Sequence, residues 1–362
     1  MGRRVIPIEP TAEEIALHEV RRTIHARAVH GGFAKWRWTL VFATQIAFYG
    51  LPWFTIDGRQ AVLFDLGARE LDVLGAVFRP RDFGYLALLL MVAALSLFLF
   101  TAIAGRLWCG YACPQTVYTE IFRWIERRIE GDRLARVRLD AAPMSLDKLV
   151  LKALKHAAWL TVALWTGYTF VGYFTPIRDL GMRTMTWQIT PWEASWLLFY
   201  ALATYGNAGW LREQVCRSMC PYARFQRVIF DRDTLVIAYD ATRGEPRGGR
   251  SQAVDARANG LGDCVDCGIC VQVCPTGIDI RKGLQYECVG CAACIDGCNR
   301  VMDIMGYRRG LIRYTTENAL AAGDGAVAVW KRVLRPRTAL YGALLLTMIA
   351  VAIASLAMRN PP

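Results

Sequence analysis

The chain has 362 residues, of which 54% are hydrophobic and twelve are tryptophan. Together with a positive mean hydropathy, this excludes an ordinary soluble two-domain protein and favours a membrane protein with a polar module. The net charge of +12 suits either nucleic acid or an anionic membrane surface, and the positions of the charges must decide between them. The twelve cysteines indicate metal ligation in a reducing cytosol, or disulfides in an oxidising compartment.

The N-terminal segment, 1–35, is polar and contains six lysines or arginines. It lacks a short apolar core with a small-residue cleavage site, so we expect no cleaved signal peptide. Helical spacing over 13–29 predicts an interfacial helix. His18, His25 and His30 are seven and five residues apart, so they do not share one helical face, and we predict no metal site there.

Five apolar stretches reach or nearly reach the length that crosses the hydrocarbon core of a membrane. A helix is the structure expected for them, because it satisfies its backbone polar groups internally. Tryptophans cluster at their ends, as in the aromatic belts of membrane proteins. Buried helices of a large soluble core are the alternative, and five such stretches argue against it. The predicted spans are 38–56, 83–105, 156–174, 194–211 and 338–358.

Lysines and arginines are concentrated in alternate connecting segments. The segments 1–35, 105–153 and 212–337 contain six, nine and nineteen of them, whereas 57–82 and 175–190 contain four and two. Basic loops stay in the cytoplasm, so the three rich segments are predicted to be cytoplasmic and the C-terminus to emerge on the far side. The charge then reflects topology and anionic lipid, and we predict no nucleic-acid partner.

Two segments between the spans have patterns of their own. The segment 57–82 has mixed charge, and we interpret it as an extracytoplasmic loop lying on the membrane without chemistry. The segment 115–129 has the spacing of an interfacial amphipathic helix. Its predicted apolar face contains Val117, Ile121, Trp124, Ile125 and Ile129, with Arg123, Arg127 and Arg128 on the other side.

Two C-x3-C-P motifs directly follow the second and fourth spans. They contain Cys109 and Cys113, and Cys216 and Cys220. Spans two and four run in the same direction, so both motifs are predicted at the cytoplasmic edge, facing each other. Positions i and i+4 share one helical face, so each pair offers two sulfurs to one point. Such soft ligands suit Cu(I) or zinc, and Met219 could add a thioether. Structural thiols and reversible disulfides are the alternatives.

The segment 229–337 is interpreted as a polar module. A strand is predicted over 234–240 and a second over 311–316, and we expect the two to pair and close the module. A glycine- and arginine-rich linker, 241–262, leads from the first strand into the cysteine-rich stretch.

The stretch 264–298 contains two consecutive C-x2-C-x2-C-x3-C runs. This is the bacterial ferredoxin pattern, in which three close thiolates bind one iron–sulfur cluster and the fourth binds the other. Zinc would use C-x2-C pairs with a longer spacer, and neither zinc nor a disulfide framework fits two such triplets. Asn299 stands where the second run usually has proline. The predicted ligands are Cys264, Cys267, Cys270 and Cys298 for one [4Fe–4S] cluster, and Cys288, Cys291, Cys294 and Cys274 for the second.

Taken together, these motifs resemble the FixG/RdxA/CcoG family of accessory proteins for cbb3-type cytochrome oxidase assembly. The matching segments are 107–120 with the first C-x3-C-P motif, 212–225 with the second, and 264–314 with the double ferredoxin run. The resemblance covers nearly the whole chain. The C-x3-C-P motifs alone are also shared with NapH- and NosR-like membrane ferredoxins.

The resemblance implies a multi-pass protein of the bacterial cytoplasmic membrane, with its C-terminus in the periplasm. It implies electron transfer through two [4Fe–4S] clusters to reduce Cu(II) to Cu(I) for the oxidase. The implied partners are copper and assembly factors of the oxidase, such as a copper chaperone or transporter. The family usually continues into an extracytoplasmic immunoglobulin-like domain, whereas this sequence ends at Pro362, so docking through that domain is not implied. The implied catalytic, copper-binding residues are Cys109, Cys113, Cys216 and Cys220.

The sequence therefore predicts a mainly α membrane protein with five transmembrane helices and a cytoplasmic dicluster ferredoxin domain before the last helix. The domain hypothesis is an N-terminal segment 1–35, a four-helix membrane region 36–228, the ferredoxin domain 229–337 and a fifth helix 338–358. The functional hypothesis is a cupric reductase, with a quinol-linked electron-transfer subunit or a copper chaperone with structural clusters as alternatives. No nucleotide-binding or haem-attachment motif names the electron donor, and a homodimer is one option for the quaternary state.

Overall fold

A computed structural model describes residues 24–252, 258–323 and 335–358 of the chain. The predicted interfacial helix at 13–29 lies largely outside the described residues, and its described end is not helical. His18 also lies outside them. His25 pairs with Asp140, with 3.0 Å between His25 Nε2 and Asp140 Oδ2.

The described structure is mostly helical. Its helices are α1 Gly32–Gly50, α2 Phe83–Ala104, α3 Leu107–Tyr111, α4 Pro114–Ile129, α5 Arg133–Ala141, α6 Leu146–Val171, α7 Ile177–Met185, α8 Pro191–Thr204, α9 Pro221–Ile229, α10 Ala241–Gly244, α11 Ile269–Gln272, α12 Ala293–Met305, α13 Glu317–Ala322 and α14 Pro336–Ala357. Helix α8 is followed by π-helical turns at Tyr205–Leu211 and Val215–Met219. Single 3₁₀ turns lie at Leu51–Trp53, Pro80–Asp82 and Ile280–Lys282.

Each predicted span coincides with a long helix, but the helices differ in how well they suit a membrane. By length and composition, the segments Gly84–Ala104 in α2 and Pro336–Ala357 in α14 could cross one. These two helices run antiparallel, since Tyr85 donates a hydrogen bond to the Ser355 carbonyl (3.1 Å) at one end and Arg335 donates to the Ala102 carbonyl (3.4 Å) at the other. The five-span topology stays a prediction.

Helices α4, α6 and α8 form a second packed group. Gly167 of α6 lies so close to α8 that a Cβ atom there would be 2.4 Å from the Leu197 carbonyl oxygen. Trp159 of α6 stacks on Phe122 of α4, with 5.2 Å between ring centroids. Helix α1 joins the group where the Tyr49 and Thr166 hydroxyls are 2.8 Å apart.

The segment 57–82, predicted only as a loop between two spans, contains short strands. A ladder of β1 Thr55–Ile56 and β2 Arg59–Gln60 precedes the antiparallel sheet β3 Val62–Asp65, β4 Glu70–Val73 and β5 Ala76–Phe78. Its strands have only two to four residues, too short for a period-two pattern to stand out. The sheet is tied to the end of α6 because Phe64 N donates to the Tyr173 carbonyl at 2.7 Å.

The predicted pairing of the two strands in the polar module is confirmed. Strands β6 Val236–Tyr239 and β7 Ile312–Thr315 are antiparallel. Beneath them lies a core formed by cysteines of the ferredoxin runs and apolar side chains of α12 and β7. One strand precedes the cysteine-rich segment in the sequence and the other follows it. Their pairing therefore closes the module around that segment.

The helix predicted over 115–129 is confirmed as α4. Trp124 of its predicted apolar face is 44% exposed, whereas Arg123 of the opposite side is 8% exposed. Glu120 and Glu126 are buried beside it. The buried side of α4 therefore contains charges as well as apolar groups, because each charge has partners on neighbouring elements.

Candidate redox site

The two cysteine runs have the same unusual backbone geometry. The residue before the second cysteine of each run has positive φ (Asp266 49°, Gly290 70°), as does the residue after it (Gly268 64°, Ala292 58°). Left-handed residues of this kind alternate the direction of successive amides and form concavities that bind anions, including many iron–sulfur centres. Helices α11 and α12 begin immediately after these turns.

The thiols of the runs fall into two neighbouring groups. Burial, and then the charges of Cys270, Cys264 and Cys267, raise the pKa of Cys298 to about 12. These are the four residues predicted to bind one cluster. Because they come from both runs, only the folded module brings them together.

The second group surrounds Cys288. Burial raises the pKa of its thiol to about 12, with Cys291 and Cys274 as the nearest charged neighbours among the thiols, and Cys294 has Cys288, Cys291 and Cys274 around it. The donor chemistry and the grouping thus fit two [4Fe–4S] clusters. Within the described ranges, no three His, Cys, Asp or Glu side chains are grouped as ligands of one metal ion.

Asn299, the departure from the ferredoxin pattern, has a structural role. Its side-chain oxygen accepts a hydrogen bond from Gly310 N at 3.0 Å. A proline could not supply this acceptor. Asn299 therefore connects α12 to the turn that begins β7.

The two C-x3-C-P motifs share a local structure that differs from a single continuous helix. Cys113 and Cys220 have extended backbones and are the N-caps of α4 and α9, with the following proline at the first helical position. Proline is favoured there because its missing N–H needs no partner. Cys109 lies in α3 and Cys216 in a π-helical turn, so each pair spans a helix break.

The structure brings the four thiols of the two C-x3-C-P motifs together. Burial, and then the charges of Cys113, Cys109 and Cys220, raise the pKa of Cys216 to about 12. For Cys109, burial raises the pKa to about 11. Met219 is 58% exposed, so a thioether ligand from it is not supported.

The fully buried Gln226 orients the first pair. Its side-chain Nε2 lies 3.4 Å from Cys109 Sγ. Gln226 belongs to α9, which begins directly after the second motif. A residue of the helix that follows the second motif thus contacts a cysteine of the first motif.

Arg106 connects the thiols of the C-x3-C-P motifs to the second ferredoxin run. Burial lowers the pKa of its guanidinium, and its thiol neighbours are Cys109, Cys288 and Cys216. It donates hydrogen bonds to the Tyr286 carbonyl and, at 2.9 Å, to the Ala223 carbonyl. One cation therefore lies among cysteines of both C-x3-C-P motifs and of the second predicted cluster.

The backbones of the two sites are also in direct contact. A Cβ atom on Gly110 would lie 2.7 Å from the carbonyl of Gly290 and from the amide nitrogen of Cys291. On Gly290 it would lie 3.0 Å from the Arg106 carbonyl oxygen. Glycine at both positions is what allows the first C-x3-C-P motif to touch the loop of the second run.

Two side chains hold this loop from outside it, and a third holds the residue that follows the first cysteine run. Arg37 of α1 donates to the Cys291 carbonyl at 3.1 Å, and Tyr314 of β7 donates to the Gly290 carbonyl at 2.7 Å. Arg123 of α4 donates to the Pro275 carbonyl at 3.2 Å. Sequence analysis missed these residues. For the two arginines, the signal that could have indicated a role was an arginine on a predicted apolar or interfacial helix.

Comparison with known proteins places these motifs in a family. The 4Fe-4S dicluster domain family matches residues 211–317, and a 4Fe-4S binding domain family matches residues 83–131. The chain is 39% identical over 356 residues to nitrogen fixation protein FixG of Rhizobium meliloti, covering 90% of this chain and 68% of that protein. It is 41% identical over 354 residues to protein RdxA of Cereibacter sphaeroides, covering 95% and 74%. The chain belongs to the FixG/RdxA family.

Protein RdxB of Cereibacter sphaeroides is also similar, with 39% identity over 360 residues, 97% of this chain and 75% of that protein. No solved structure matches the chain. As a FixG/RdxA family member with ferredoxin-type runs, the protein is an iron–sulfur electron-transfer protein. When bound, the clusters supply single electrons, and the eight cysteines of 264–298 are the residues that would hold them.

Proposed function

We propose that this FixG/RdxA protein reduces Cu(II) to Cu(I) at the four thiols of the C-x3-C-P motifs, for assembly of a cbb3-type cytochrome oxidase. The supporting observation is the position of these thiols: they lie together, and Arg106 and Gly110 join them to the loop of the second cysteine run. One electron passes to Cu(II), giving Cu(I), while one reduced [4Fe–4S] cluster returns to its oxidised state.

The ligand chemistry favours the product ion. Soft thiolates bind Cu(I) in preference to harder ions, and this preference makes reduction of bound copper more favourable. Cys109 with Cys113, or Cys216 with Cys220, can supply a pair of thiolates to one Cu(I) ion. Each thiol that binds the metal releases its proton.

The proposed setting is the bacterial inner membrane, with the ferredoxin module in the cytoplasm. Copper reduced there would pass to an assembly factor of the oxidase, either a chaperone or a transporter. The exposed apolar side chains along α2 and α14 are compatible with this setting.

An anaerobic titration tests the proposal. Purified full-length protein is reduced with dithionite, freed of excess reductant and given Cu(II), while cluster absorbance is followed and Cu(I) is trapped with a chromogenic chelator. We expect cluster oxidation and Cu(I) to appear together. A variant with Cys109, Cys113, Cys216 and Cys220 changed to serine should keep its clusters and lose the coupling.

Two outcomes would contradict this function. If Cu(II) does not oxidise the reduced clusters, the protein transfers its electrons to another acceptor. Copper binding that does not depend on cluster oxidation state would favour a chaperone with structural clusters. Iron analysis provides a control: two [4Fe–4S] clusters contain eight iron atoms per chain in total, and about twelve would assign the four thiols to a third cluster instead.

A further inference from the structure

A large cavity lies between α1, α4, α6 and the second cysteine run. Its volume is ≈ 1030 Å³, at the upper end of the range of about 300–1,000 Å³ typical of small-molecule sites. One face of α1 lines it, with Ala34, Trp38, Val41, Gln45 and Tyr49 at intervals of three or four residues. At about 1.5 Å per residue this face is about 22 Å long, which suits a long, narrow ligand.

The end of the cavity near the cysteine run is polar and buried. Arg37, Glu120 and Arg123 line it, and they are 6%, 8% and 8% exposed. Arg37 Nη2 lies 3.9 Å from Glu120 Oε1. The Nε atoms of Arg37 and Arg123 are buried and have no hydrogen-bond partner among the described residues. Buried donors without acceptors are costly, so this end is suited to a ligand with oxygen atoms.

Glu120 supplies the complementary acceptor. Burial disfavours its carboxylate, but the charges of Arg37, Arg123 and Arg127 outweigh burial and hold its pKa below the ordinary value. The carboxylate is therefore ionised at neutral pH and can accept a hydrogen bond from a ligand hydroxyl. Donors and an acceptor thus lie side by side at one end of the cavity.

The rest of the cavity is apolar and aromatic. Val41 and Val162 form its floor, and Trp38, Phe42 and Trp165 line its sides. Phe42 is 59% exposed and Trp165 is 45% exposed, so these walls continue into the outer surface between α1 and α6. A hydrocarbon tail could leave the cavity along this apolar route.

The polar end also adjoins both redox elements. Cys291 of the second cysteine run and Cys216 of the second C-x3-C-P motif line the same cavity. A redox-active ring in the polar end would therefore be next to a predicted cluster ligand.

We propose that this cavity binds an isoprenoid quinol of the membrane as the electron donor, an inference that rests on the electron-transfer function proposed above. One ring hydroxyl donates to Glu120, and the oxygen atoms accept hydrogen bonds from Arg37 and Arg123. The isoprenoid tail lies along Trp38, Val41 and Phe42. No sequence pattern marks this site, because its lining comes from segments more than 200 residues apart.

The electron balance of the step is one quinol for two clusters. Oxidation of the quinol to a quinone breaks two O–H bonds and releases two electrons and two protons. The two electrons are accepted by the two oxidised [4Fe–4S] clusters, one each, and both protons leave to water. Two Cu(II) ions can then be reduced for each quinol oxidised.

The experiment uses full-length, cluster-loaded protein in nanodiscs of zwitterionic phospholipid. The probes are a short-chain ubiquinol and a short-chain menaquinol, with binding measured by quenching of tryptophan fluorescence. An azido-quinone is photo-crosslinked in parallel and its attachment sites are mapped by mass spectrometry. We expect saturable quenching, and crosslinks on α1, α4 and α6.

A pair of substitutions on neighbouring residues of α6 provides the control. Thr161 lines the cavity, whereas Leu160 is 44% exposed and does not line it. Thr161→Trp should fill the cavity and weaken quinol binding by about tenfold or more, and Leu160→Trp should leave it unchanged. Glu120→Gln should weaken binding of the quinol more than that of the quinone, because only the quinol donates a hydrogen bond to this side chain.

Three results would overturn the inference. They are equal binding by the Thr161→Trp and Leu160→Trp proteins, crosslinks outside the cavity lining, and displacement of the probe by anionic phospholipid but not by unlabelled quinol, which would identify a lipid site. Copper reduction by dithionite-reduced Thr161→Trp protein separates the two proposals. If copper reduction persists while quinol does not bind the wild-type protein, the proposed electron donor is wrong and the proposed copper reduction stands.

Discussion

At the scale of single residues, Arg106 is the group that distinguishes this site from an isolated ferredoxin. Its guanidinium is 7% exposed and lies among Cys109, Cys216 and Cys288. A buried positive charge stabilises the reduced, more negative state of a nearby cluster, and local charge is one of the determinants of cluster potential. Arg106 should therefore raise the reduction potential of the cluster bound by Cys288.

Replacement of Arg106 tests this effect. Arg106→Gln should lower the potential of the second cluster by tens of millivolts, the order of the 59 mV that equals about tenfold in a one-electron equilibrium. Arg106→Lys keeps the charge and should shift it less. The potentials are measured by EPR-monitored redox titration, with exposed Arg227→Gln as the control. Equal shifts of both clusters, or of the Arg106→Gln and Arg227→Gln proteins, would contradict the assignment.

The role of residues whose spacing indicates a ligand set could be predicted from sequence. The role of residues that act through a single hydrogen bond could not. The eight ferredoxin cysteines are a repeated pattern. Arg37 acts by donating to a carbonyl 254 residues away, and no pattern marks such a partner. Asn299 was noticed as a departure, but its acceptor role depends on where the turn at Gly310 lies.

At the scale of elements, α4 shows that hydrophobic periodicity located a helix but did not indicate which of its faces packs against the protein. Glu126 is buried, with 3.0 Å from its Oε2 to Arg136 Nη1 and 2.5 Å from its Oε1 to Arg212 Nη2. Both arginines are also buried. Charge normally marks the outer face of a helix, whereas here it marks the contact with α5 and with the turn before the second C-x3-C-P motif.

Glu126→Gln should destabilise the protein strongly. It leaves two buried guanidinium groups without a countercharge, and removal of one partner of a buried pair costs about 3–5 kcal/mol. Arg128→Gln, on the exposed side of α4, should have little effect. The measurement is the thermal unfolding midpoint in detergent, and similar midpoints for the two variants would contradict the role of the buried charges.

The stabilisation that the Glu126 carboxylate provides depends on pH, and the sign of this dependence is definite. Burial raises the pKa of Glu126, but the charges of Arg212 and Arg136 outweigh it, so the folded-state pKa lies below the ordinary value. The stabilisation is therefore fully present above the unfolded pKa of about 4.3 and is lost as the pH falls through the lower folded pKa. The Glu126→Gln protein should accordingly lose less stability than wild type on acidification over this range.

The short helix α3 is the element that joins the two sites. Gly110→Ala should separate its backbone from the loop at Gly290, at a cost of about 1–3 kcal/mol for overpacking, and should slow copper reduction while both clusters still form. Gly342→Ala in α14 is the matched control, because a Cβ atom there meets nothing within 4 Å. Unchanged copper reduction in the Gly110→Ala protein would show that this contact is not the route of the electron.

At the scale of the whole molecule, the ferredoxin module is attached to the helical part by specific contacts. Asp296 of α12 accepts hydrogen bonds from Phe33 N (3.3 Å) and Ala34 N (2.7 Å), the first amides of α1. These amides lack partners within the helix, so the module supplies the cap of α1. Sequence analysis predicted both units but not this contact, which joins residues 262 positions apart.

The number of membrane crossings follows from how α6 and α8 are interpreted. Leu160, Leu164 and Leu198 are exposed on this helix pair, as expected for a lipid-facing surface. The helices fall short of a simple apolar span because Lys155 near the start of α6 pairs with Glu130 at 3.0 Å, and α8 has 14 residues before its π turn. If the pair crosses the membrane, the connection at Trp187 lies outside; if only α1, α2 and α14 cross, it lies in the cytoplasm, because the start of α1 contacts the ferredoxin module.

Epitope insertion at three exposed sites distinguishes these topologies. Tags are placed after Leu66, Met144 and Trp187, which are 68%, 76% and 93% exposed, and antibody access is compared in intact and lysed spheroplasts. Five crossings predict that Leu66 and Trp187 are reached from outside and Met144 only after lysis. Both topologies put Leu66 and Met144 on opposite sides, so these two sites verify the assay. Access to Trp187 only after lysis would exclude crossing by α6 and α8, and would remove the lipid route by which a quinol reaches the cavity beside α6.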